Sequence, residues 1–324
     1  MTNKCTVIMY HYVRDLKKSK FPQIKALETE LFIEQIEYLR KHYNVITMEE
    51  LIACFDNNVS LPPKSLLLTF DDGYIDHYLN VFPVLHRYKL QGTFFIPGKA
   101  ISENRMLDVN KIHFLLASVE DKTKILNDIK LFLNQYKNEY EIESYEYYFK
   151  NIAKSSRFDP PEIIFIKRIL QVELPETLRQ IILNHLFEKY VSINEEEFST
   201  ELYLSKNHIL DMHAHNMHIG SHGYDHYWWD RLSQPALERE IGLSQQFLQD
   251  LNISMNTWTA CYPYNAYSEL ATKILIEKGC KAAFAGNVRV ASIEAKNRFF
   301  IPRLDTNDIP KSRDATPNEW FNQA

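Results

Sequence analysis

The first hundred residues alternate short apolar runs with amphipathic stretches. Apolar positions recur at three- and four-residue spacing within residues 30–42 and 75–88, which predicts two helices, with Pro83 expected to kink the second. The residues from Thr47 to Glu50 form a capping-box pattern and predict a further helix. Apolar runs that predict buried strands occupy residues 6–10, 65–70 and 93–96. This order of strands and helices is typical of a parallel α/β fold.

The alternation stops near residue 103 and resumes after residue 205. The stretch between them is polar and helical in pattern and contains no catalytic motif, so we predict a helical insertion. After it, residues 233–251 and 268–278 have helical spacing, and Gly279 is expected to end the second of these helices. Further strands are expected at residues 217–220, 257–262, 282–285 and 298–302. The resulting division is 1–102 and 206–312 for the two α/β parts, 103–205 for the insertion and 313–324 for a loose C-terminal tail.

Charge and composition exclude several classes of partner. The net charge is −5 and no basic run would follow phosphates, so we expect no nucleic-acid partner. No apolar run approaches the roughly 18 residues that span a membrane, and the first residues lack a signal-peptide pattern. We therefore expect a cytoplasmic protein, while its oligomeric state stays unassigned. No cysteines form a CxxC pair, and all are expected to be buried small hydrophobic residues rather than disulfide partners or zinc ligands: Cys5, Cys54, Cys261 and Cys280.

Two adjacent carboxylates follow one of the predicted strands. Asp71, Asp72 and Gly73 come directly after the apolar run 65–70. Burying two carboxylates beside such a strand is unfavourable unless something binds them, and ligands commonly sit at the carboxyl ends of parallel strands. One aspartate could hold a metal while its neighbour faces a substrate water. An ordinary Asp-Gly turn is the alternative interpretation.

A histidine pair follows a second predicted strand. His222 and His226 are four residues apart, so both imidazoles could reach one ion from a single turn or tight loop, and Gly220 and Gly223 favour a loop. Two imidazoles and one carboxylate suit Zn²⁺ or another first-row divalent ion and leave positions open for water and substrate. A solvated histidine-rich turn is the alternative. The other histidines of this region lie in no such motif and are expected to have no role: His208, His213, His215 and His218.

Together, the segments 69–73 and 222–226 resemble the first two motifs of the polysaccharide deacetylase (NodB-homology) family. The resemblance implies a distorted (β/α)₇ barrel, interrupted here by the helical insertion, that hydrolyses the N-acetyl group of amino sugars with a divalent metal. It implies Asp71 as general base and Asp72, His222 and His226 as metal ligands. Zn²⁺ is the expected ion, with Co²⁺, Ni²⁺ or Mn²⁺ as alternatives.

The remaining family motifs are altered in this sequence. The segment 261–264 resembles the aromatic-proline-tyrosine motif, in which the backbone N–H of Tyr264 would donate to the oxyanion, but the arginine often found upstream is absent. Arg303 is the candidate to hold the base, because arginine can bind a carboxylate through two hydrogen bonds; a surface salt bridge is the alternative. No histidine follows His226. His11, at the end of the first predicted strand, resembles the general acid of the circularly permuted branch of the family.

The expected function is therefore a carbohydrate N-deacetylase. Its substrate would be an amino sugar in a surface glycan, or one linked to a nucleotide or lipid, made in the cytoplasm or at the inner membrane face. Hydrolysis of another amide or ester on the same barrel is a second hypothesis. A degenerate barrel that binds glycan without turnover is a third, and the missing arginine is its main support.

Overall fold

The structure is a computed structural model that describes residues 3–57 and 59–324. The chain divides into two compact units. The first unit contains the chain up to Asp15, together with Ala26–Arg105 and Ser199–Ala324. The second contains Leu16–Lys25 and Met106–Phe198.

The elements of both units follow in chain order. The strands are β1 (Lys4–Tyr10), β2 (Asn44–Val45), β3 (Ser65–Phe70), β4 (Thr93–Ile96), β5 (His218–Ser221), β6 (Thr259–Cys261), β7 (Ala282–Phe284), β8 (Ala291–Ser292) and β9 (Leu304–Asp305). The helices are α1 (Thr29–His42), α2 (Met48–Asn57), α3 (Phe82–Tyr88), α4 (Gly98–Ser102), α5 (Asp108–Ser118), α6 (Thr123–Tyr136), α7 (Tyr145–Ile152), α8 (Pro161–Arg168), α9 (Glu176–Tyr190), α10 (Glu195–Leu202), α11 (Lys206–Ala214), α12 (Gln234–Asp250), α13 (Glu269–Glu277) and α14 (Glu319–Gln323).

The first unit is a barrel of parallel strands. Neighbouring strands pair in the order β7, β6, β5, β4, β3 and β1. The chain after β8 closes this sheet, because Ile301 pairs in parallel with Phe284 of β7 and Leu304 of β9 pairs in parallel with Ile8 of β1. β2 adds to β3, and β8 adds to β1 as an antiparallel neighbour. Within the described residues the closed ring has seven parallel segments, which confirms the distorted (β/α)₇ barrel.

Strand alternation decides which side chains fill the barrel. Side chains of alternate residues point to the same face of a strand. A single buried cluster contains Cys5, Val7, Leu67, Phe95, Cys261, Phe284 and Ile301 of the barrel segments with Met48 and Leu51 of α2. Asp71 continues the series of Leu67 and Thr69 by one further step past the end of β3, and His11 continues that of Val7. The same face that carries the core therefore directs polar groups to the carboxyl end of the barrel.

The structure changes the sequence prediction at a helix and at a strand. The helix expected over residues 75–88 contains a π-helical turn, His77–Val81, before α3, which agrees with the disturbance expected at Pro83 since proline cannot donate a backbone hydrogen bond. The strand expected at 298–302 was wrong: only Ile301 forms a bridge there, and the regular strand is β9. An apolar run of this length cannot locate the paired residues by itself.

The C-terminal segment is packed onto the barrel unit rather than loose. The ring of Phe321 in α14 contacts the ring of Tyr43 edge-to-face at 5.4 Å. Lys64 Nζ donates to the carbonyl of Phe321 at 2.7 Å and lies 4.3 Å from its ring centroid. Because Lys64 precedes β3, this contact lies at the amino end of that strand, away from Asp71. The polar composition of the tail concealed its aromatic anchor.

The second unit is helical, as the insertion pattern indicates. α5, α6, α8 and α9 supply its apolar core, including Ile112, Leu115, Ile125, Ile129, Phe165, Ile182 and Leu186. The segment Leu16–Lys25 belongs to this unit, because Phe21 packs against Phe114 with ring centroids 4.8 Å apart. In neither unit does any helix of the described residues combine the length and the apolar character required to cross a membrane.

Candidate metal centre and catalytic site

The strand ends bring the two sequence motifs together. Asp71 and Asp72 follow β3 directly, and His222 follows β5, with β4 between the two strands. The backbone N–H of Asp71 donates to the carbonyl of Tyr10 at 2.9 Å, and that of His222 donates to the carbonyl of Ile96 at 3.0 Å. Both motifs are thus fixed to neighbouring strands at the carboxyl end of the barrel, where ligands sit in this class of fold.

Asp72, His222 and His226 form a buried group of three possible metal ligands. Asp72 Oδ1 lies 3.4 Å from Nε2 of His222 and 3.4 Å from Nε2 of His226. The two Nε2 atoms are 3.2 Å apart. Ligands bound at about 2.0–2.2 Å to a tetrahedral ion lie about 3.3–3.6 Å from one another, so the donor atoms have the spacing that one small divalent cation requires.

Neighbouring groups orient these ligands. His222 Nδ1 donates to the backbone carbonyl of Cys261 at 3.0 Å, which leaves its Nε2 unprotonated and directed at Asp72 when the ring is neutral. The hydroxyl of Tyr74 donates to Asp72 Oδ2 at 2.5 Å, so the other carboxylate oxygen faces the imidazoles. Asp72 has a left-handed backbone with φ of 73°, which turns its side chain away from the strand alternation that Asp71 follows. Sequence analysis missed Tyr74, although it directly follows the Asp-Asp-Gly motif.

The electrostatics of Asp72 and His226 suit cation binding, whereas Cys261 and Asp71 outweigh burial and raise the pKa of His222 well above its usual value, so this ring must give up a proton to a bound cation. Burial alone would raise the pKa of Asp72, but hydrogen bonds with His222 and His226 hold it well below its usual value. Burial lowers the pKa of His226, which favours the neutral imidazole that a metal requires. His226 Nδ1 is buried and has no hydrogen-bond partner among the described residues, so this ring is oriented by packing. An anionic oxygen and two imidazole nitrogens fit Zn²⁺ or a similar ion.

Asp71 occupies a different environment, beside a permanent cation. Arg303 Nη1 donates to Asp71 Oδ1 at 2.8 Å, and Nη2 donates to Oδ2 at 2.7 Å. Both side chains are buried, at 1% and 2% exposure, so Arg303 forms no surface salt bridge. Burial would raise the pKa of Asp71, but the charges of Arg303 and His222 outweigh it and lower the pKa to about 2. The structure therefore presents Asp71 as a fixed, ionised carboxylate next to the three candidate metal ligands.

Cys261 lies in the same pocket. Its Sγ accepts a hydrogen bond from Arg303 Nη2 at 2.9 Å and lies 3.7 Å from Asp71 Oδ2. Burial raises the pKa of this thiol. The sequence interpretation of a buried small residue holds for its packing, but it missed these polar contacts. Cys261 belongs to the third motif, in which the arginine often found in the family is absent. That absence was the one sequence feature that could have drawn attention to Cys261.

His11 lies at the end of β1, next to the two aspartates. Burial raises the pKa of Asp71, whereas Arg303, His222 and, to a smaller extent, the nearby His11 lower it. Its backbone carbonyl is hydrogen-bonded to Nε2 of His77 at 3.0 Å. His77 itself was not singled out from the sequence; it is fully buried, and burial lowers its pKa to about 4. This neutral imidazole supports the chain at His11.

Tyr264 lies beside the candidate metal ligand His226. It follows β6, has a left-handed backbone with φ of 56°, and places its ring 4.7 Å from that of His226. The ring of Trp228 stacks on that of Tyr264, with their centroids 4.9 Å apart. The structure therefore brings the third motif next to the first two. An oxyanion role for the backbone N–H of Tyr264 stays a prediction.

The remaining histidines of the region serve other contacts. His218 begins β5, at the opposite end from His222, and its Nε2 is 2.9 Å from Oγ1 of Thr259. His208 closes a capping box at the start of α11, where its Nδ1 accepts from the backbone N–H of Ser205 at 3.1 Å. Neither lies in a group of possible metal ligands among residues 3–57 and 59–324.

Comparison with known proteins agrees with this geometry. The family model described as polysaccharide deacetylase matches residues 58–156 and 184–283, more than half of the chain. The chain belongs to the polysaccharide deacetylase family. The matched stretches contain Asp71, Asp72, His222 and His226, whereas His11 and Arg303 lie outside them.

Individual relatives cover different parts of the chain. YxkH of Bacillus subtilis (strain 168) is 29% identical over 105 residues, which are 32% of this chain and 36% of that protein. Poly-beta-1,6-N-acetyl-D-glucosamine N-deacetylase of Escherichia coli (strain K12) is 30% identical over 27% of this chain and 13% of that protein. The chain thus spans about a third and an eighth of these two relatives.

Solved structures resemble the whole chain more evenly. The deacetylase PplD of Streptococcus pyogenes superposes with a TM-score of 0.59 at 16% identity, covering 97% of this chain and 96% of PplD. IcaB from Ammonifex degensii superposes with a TM-score of 0.56 at 17% identity, covering 99% and 98%. At these identities the likeness establishes the shared fold.

Proposed function

We propose that this chain removes the N-acetyl group of an amino sugar, using a divalent cation held by Asp72, His222 and His226. The observation that supports this proposal is the juxtaposition of two unlike groups at one end of the barrel. One is a set of three donor atoms spaced 3.2–3.4 Å apart. The other is the carboxylate of Asp71, fixed by Arg303 at 2.7 and 2.8 Å. Amide hydrolysis needs both an activated water and a group that accepts its proton.

Each residue near the centre then has a defined task. A divalent cation held by Asp72, His222 and His226 would lower the pKa of a bound water and polarise the acetyl carbonyl. Asp71 accepts the proton of the attacking water, and Arg303 keeps this carboxylate in position. The backbone N–H of Tyr264 donates to the oxygen that becomes negative. His11 donates a proton to the departing amine, which is a poor leaving group when unprotonated.

The substrate we propose is an amino sugar of a surface glycan, or a nucleotide- or lipid-linked precursor of one. The Escherichia coli relative is named for action on poly-beta-1,6-N-acetyl-D-glucosamine, which supports a polymer of N-acetylglucosamine as the first candidate. Zn²⁺ is the ion we propose, because two imidazoles and a carboxylate with open positions are typical of catalytic zinc sites. Co²⁺, Ni²⁺ or Mn²⁺ could occupy the same donors.

A substrate panel with metal control tests the proposal. The purified protein is stripped with a chelator, reloaded separately with Zn²⁺, Co²⁺, Ni²⁺ or Mn²⁺, and its metal content measured. It is then incubated with β-1,6-linked N-acetylglucosamine oligomers, a nucleotide-linked N-acetyl sugar, and non-sugar acetyl amides and esters, and released acetate and free amine are quantified. We expect equal amounts of acetate and amine from the sugars, only when metal is present.

The outcomes separate the hypotheses. Acetate released from amides or esters but not from amino sugars would redirect the proposal to the second class of hydrolase. Metal binding without turnover on the whole panel would support the degenerate glycan-binding barrel. Full activity in the stripped protein would contradict the metal-dependent mechanism itself.

A further inference from the structure

We propose that Glu240 is a positioning residue that sets the backbone of the metal-ligand loop, residues 222–226, so that both imidazoles meet one cation. The inference rests on the proposed metal site. Glu240 lies in α12, outside every sequence motif, and its side chain is 1% exposed. The family resemblance gave no signal for it.

The carboxylate of Glu240 binds the loop through backbone amides. Its Oε1 accepts from the N–H of Tyr224 at 2.9 Å, and both oxygens lie 3.0 Å from the N of Asp225. These amides belong to the residues between the two histidine ligands. A carboxylate that accepts adjacent backbone N–H groups determines the direction of the chain at that point.

The loop has a conformation that requires such support. Gly223 has φ of 74°, and His226 has φ of 59°, both in the left-handed region. A left-handed backbone is uncommon for histidine and is maintained only where surrounding contacts enforce it. A Cβ at Gly223 would meet Glu240 Oε1 at 2.6 Å, so the carboxylate approaches the chain where only glycine leaves room. The sequence of the loop and the position of Glu240 are therefore matched.

The opposite side of the loop is held by α4. The backbone N–H of Gly98 donates to the carbonyl of Gly223 at 3.1 Å, and that of Lys99 donates to the carbonyl of Tyr224 at 3.0 Å. Glu240 thus binds the amides of a segment whose carbonyls are already bound on its other side. Without Glu240 these carbonyl contacts would remain, but the N–H groups of Tyr224 and Asp225 would lose their acceptor. These two peptide groups would then be held on one side only.

No competing role accounts for this buried carboxylate. Among residues 3–57 and 59–324, none of the ion pairs includes Glu240. Burial raises its pKa to about 7, so the carboxylate is retained at an energetic cost. The nearby cations Lys99 and Arg239 pair instead with Asp225. The hydrogen bonds of the Glu240 carboxylate go to backbone N–H groups of the loop and of Tyr227, which directly follows it.

The test measures metal affinity, which requires no substrate. Zn²⁺ and Co²⁺ binding to the metal-free protein is titrated at about pH 8 for the wild type, Glu240→Gln and Glu240→Asp. We expect both variants to bind roughly tenfold more weakly, within the range of about 10- to 100-fold known for groups that orient metal ligands. The visible absorption of the Co²⁺ protein should also change in both, because the imidazoles no longer meet the ion in the same geometry.

The two variants distinguish positioning from charge. Glu240→Asp keeps the negative charge but is one methylene shorter, so an affinity restored by aspartate would show that only charge near the metal matters and would overturn the inference. Glu238→Gln is the matched control: it lies exposed in the same helix and should bind metal like the wild type.

The remaining outcomes are also decisive. Wild-type affinity and an unchanged Co²⁺ spectrum in Glu240→Gln would refute the positioning role while leaving the proposed function intact. If neither variant folds in the metal-free state, as judged by circular dichroism, Glu240 supports the barrel in general and the inference is wrong. A wild type that binds neither ion would instead contradict the proposed metal site.

Discussion

The two adjacent aspartates occupy pockets of opposite character. Asp71 is held by a guanidinium that the chain itself supplies, through two hydrogen bonds to Arg303. Asp72 faces two imidazoles and the hydroxyl of Tyr74, none of which carries a permanent charge. Both carboxylates are at least 97% buried, so each needs compensation.

The contrast indicates a division of labour between neighbouring residues. The Asp71 pocket is electrostatically complete, which suits a carboxylate that must stay ionised and in place to accept a proton. In the Asp72 pocket three electron-pair donors lie close together, and the cation that we propose would complete it. The left-handed backbone of Asp72 separates the two, because it breaks the alternation that would otherwise decide where the second carboxylate points. A substitution that removes the proton acceptor in the Asp71 pocket should therefore leave metal affinity at the Asp72 pocket nearly unchanged.

The largest effect is expected from Asp72→Asn. Asparagine tolerates the left-handed backbone, so the fold should remain, but the anionic ligand is lost. We expect metal affinity to fall by more than about 100-fold, beyond the effect of changing an outer group, and deacetylation to fall to background. Metal titration and acetate release measure the two effects. Retention of both would mean that Asp72 is not a ligand.

Asp71→Asn should separate the pockets in the opposite sense. It removes the proton acceptor but none of the three metal-ligand atoms, so we expect kcat to fall by about 10²- to 10⁴-fold while metal affinity changes little. Asp72→Asn is its matched control, since the two variants remove the same charge from adjacent positions. Comparable metal loss in both variants would contradict the division of labour.

A smaller effect is expected from Tyr74→Phe. Its hydroxyl orients the Asp72 carboxylate at 2.5 Å, so its removal should weaken metal binding about tenfold without changing the ligand set. Tyr78→Phe is the control, because it removes a comparable hydrogen bond, 2.8 Å to Asp211, that touches no ligand. Equal metal affinities in the two variants would show that Tyr74 has no orienting role.

The sequence predicted the barrel and the convergence of the motifs because both depend on local patterns. Buried strands carry continuous apolar runs, and parallel strands align their carboxyl ends, so Asp72 and His222 could be expected to meet. At Pro83 the sequence predicted a kink, whereas the structure has a π-helical turn directly before the helix that contains this proline. Arg303 could be proposed for Asp71 because it follows the last apolar run, and the structure places it there.

The contacts that the sequence concealed are those set by tertiary packing. Tyr74 and Cys261 stand inside recognised motifs, but nothing in their spacing shows which atoms they approach. Glu240 reaches the loop from α12, on a helix whose pattern is that of any amphipathic segment. The aromatic anchor at Phe321 was hidden by a polar neighbourhood. Periodicity assigns faces to elements, whereas partners depend on how those faces meet.

The last and smallest prediction concerns the stability of the metal-free protein as pH falls. The pKa of Asp71 is lowered to about 2, against about 3.9 for aspartate in an unfolded chain. A lowered pKa contributes stability above the unfolded value, and this is lost as pH falls towards the folded value. Arg303→Gln removes the main favourable charge, so the variant should unfold with a smaller free energy than the wild type. This difference in the free energy of unfolding should shrink by roughly 1 kcal/mol between about pH 6 and pH 3, because the wild type loses the contribution of Asp71 in this range. Urea unfolding at several pH values measures this, with exposed Arg289→Gln as control. A deficit that stays constant with pH would mean that Arg303 acts on Asp71 through packing rather than charge, and the contrast between the two pockets would lose its electrostatic basis.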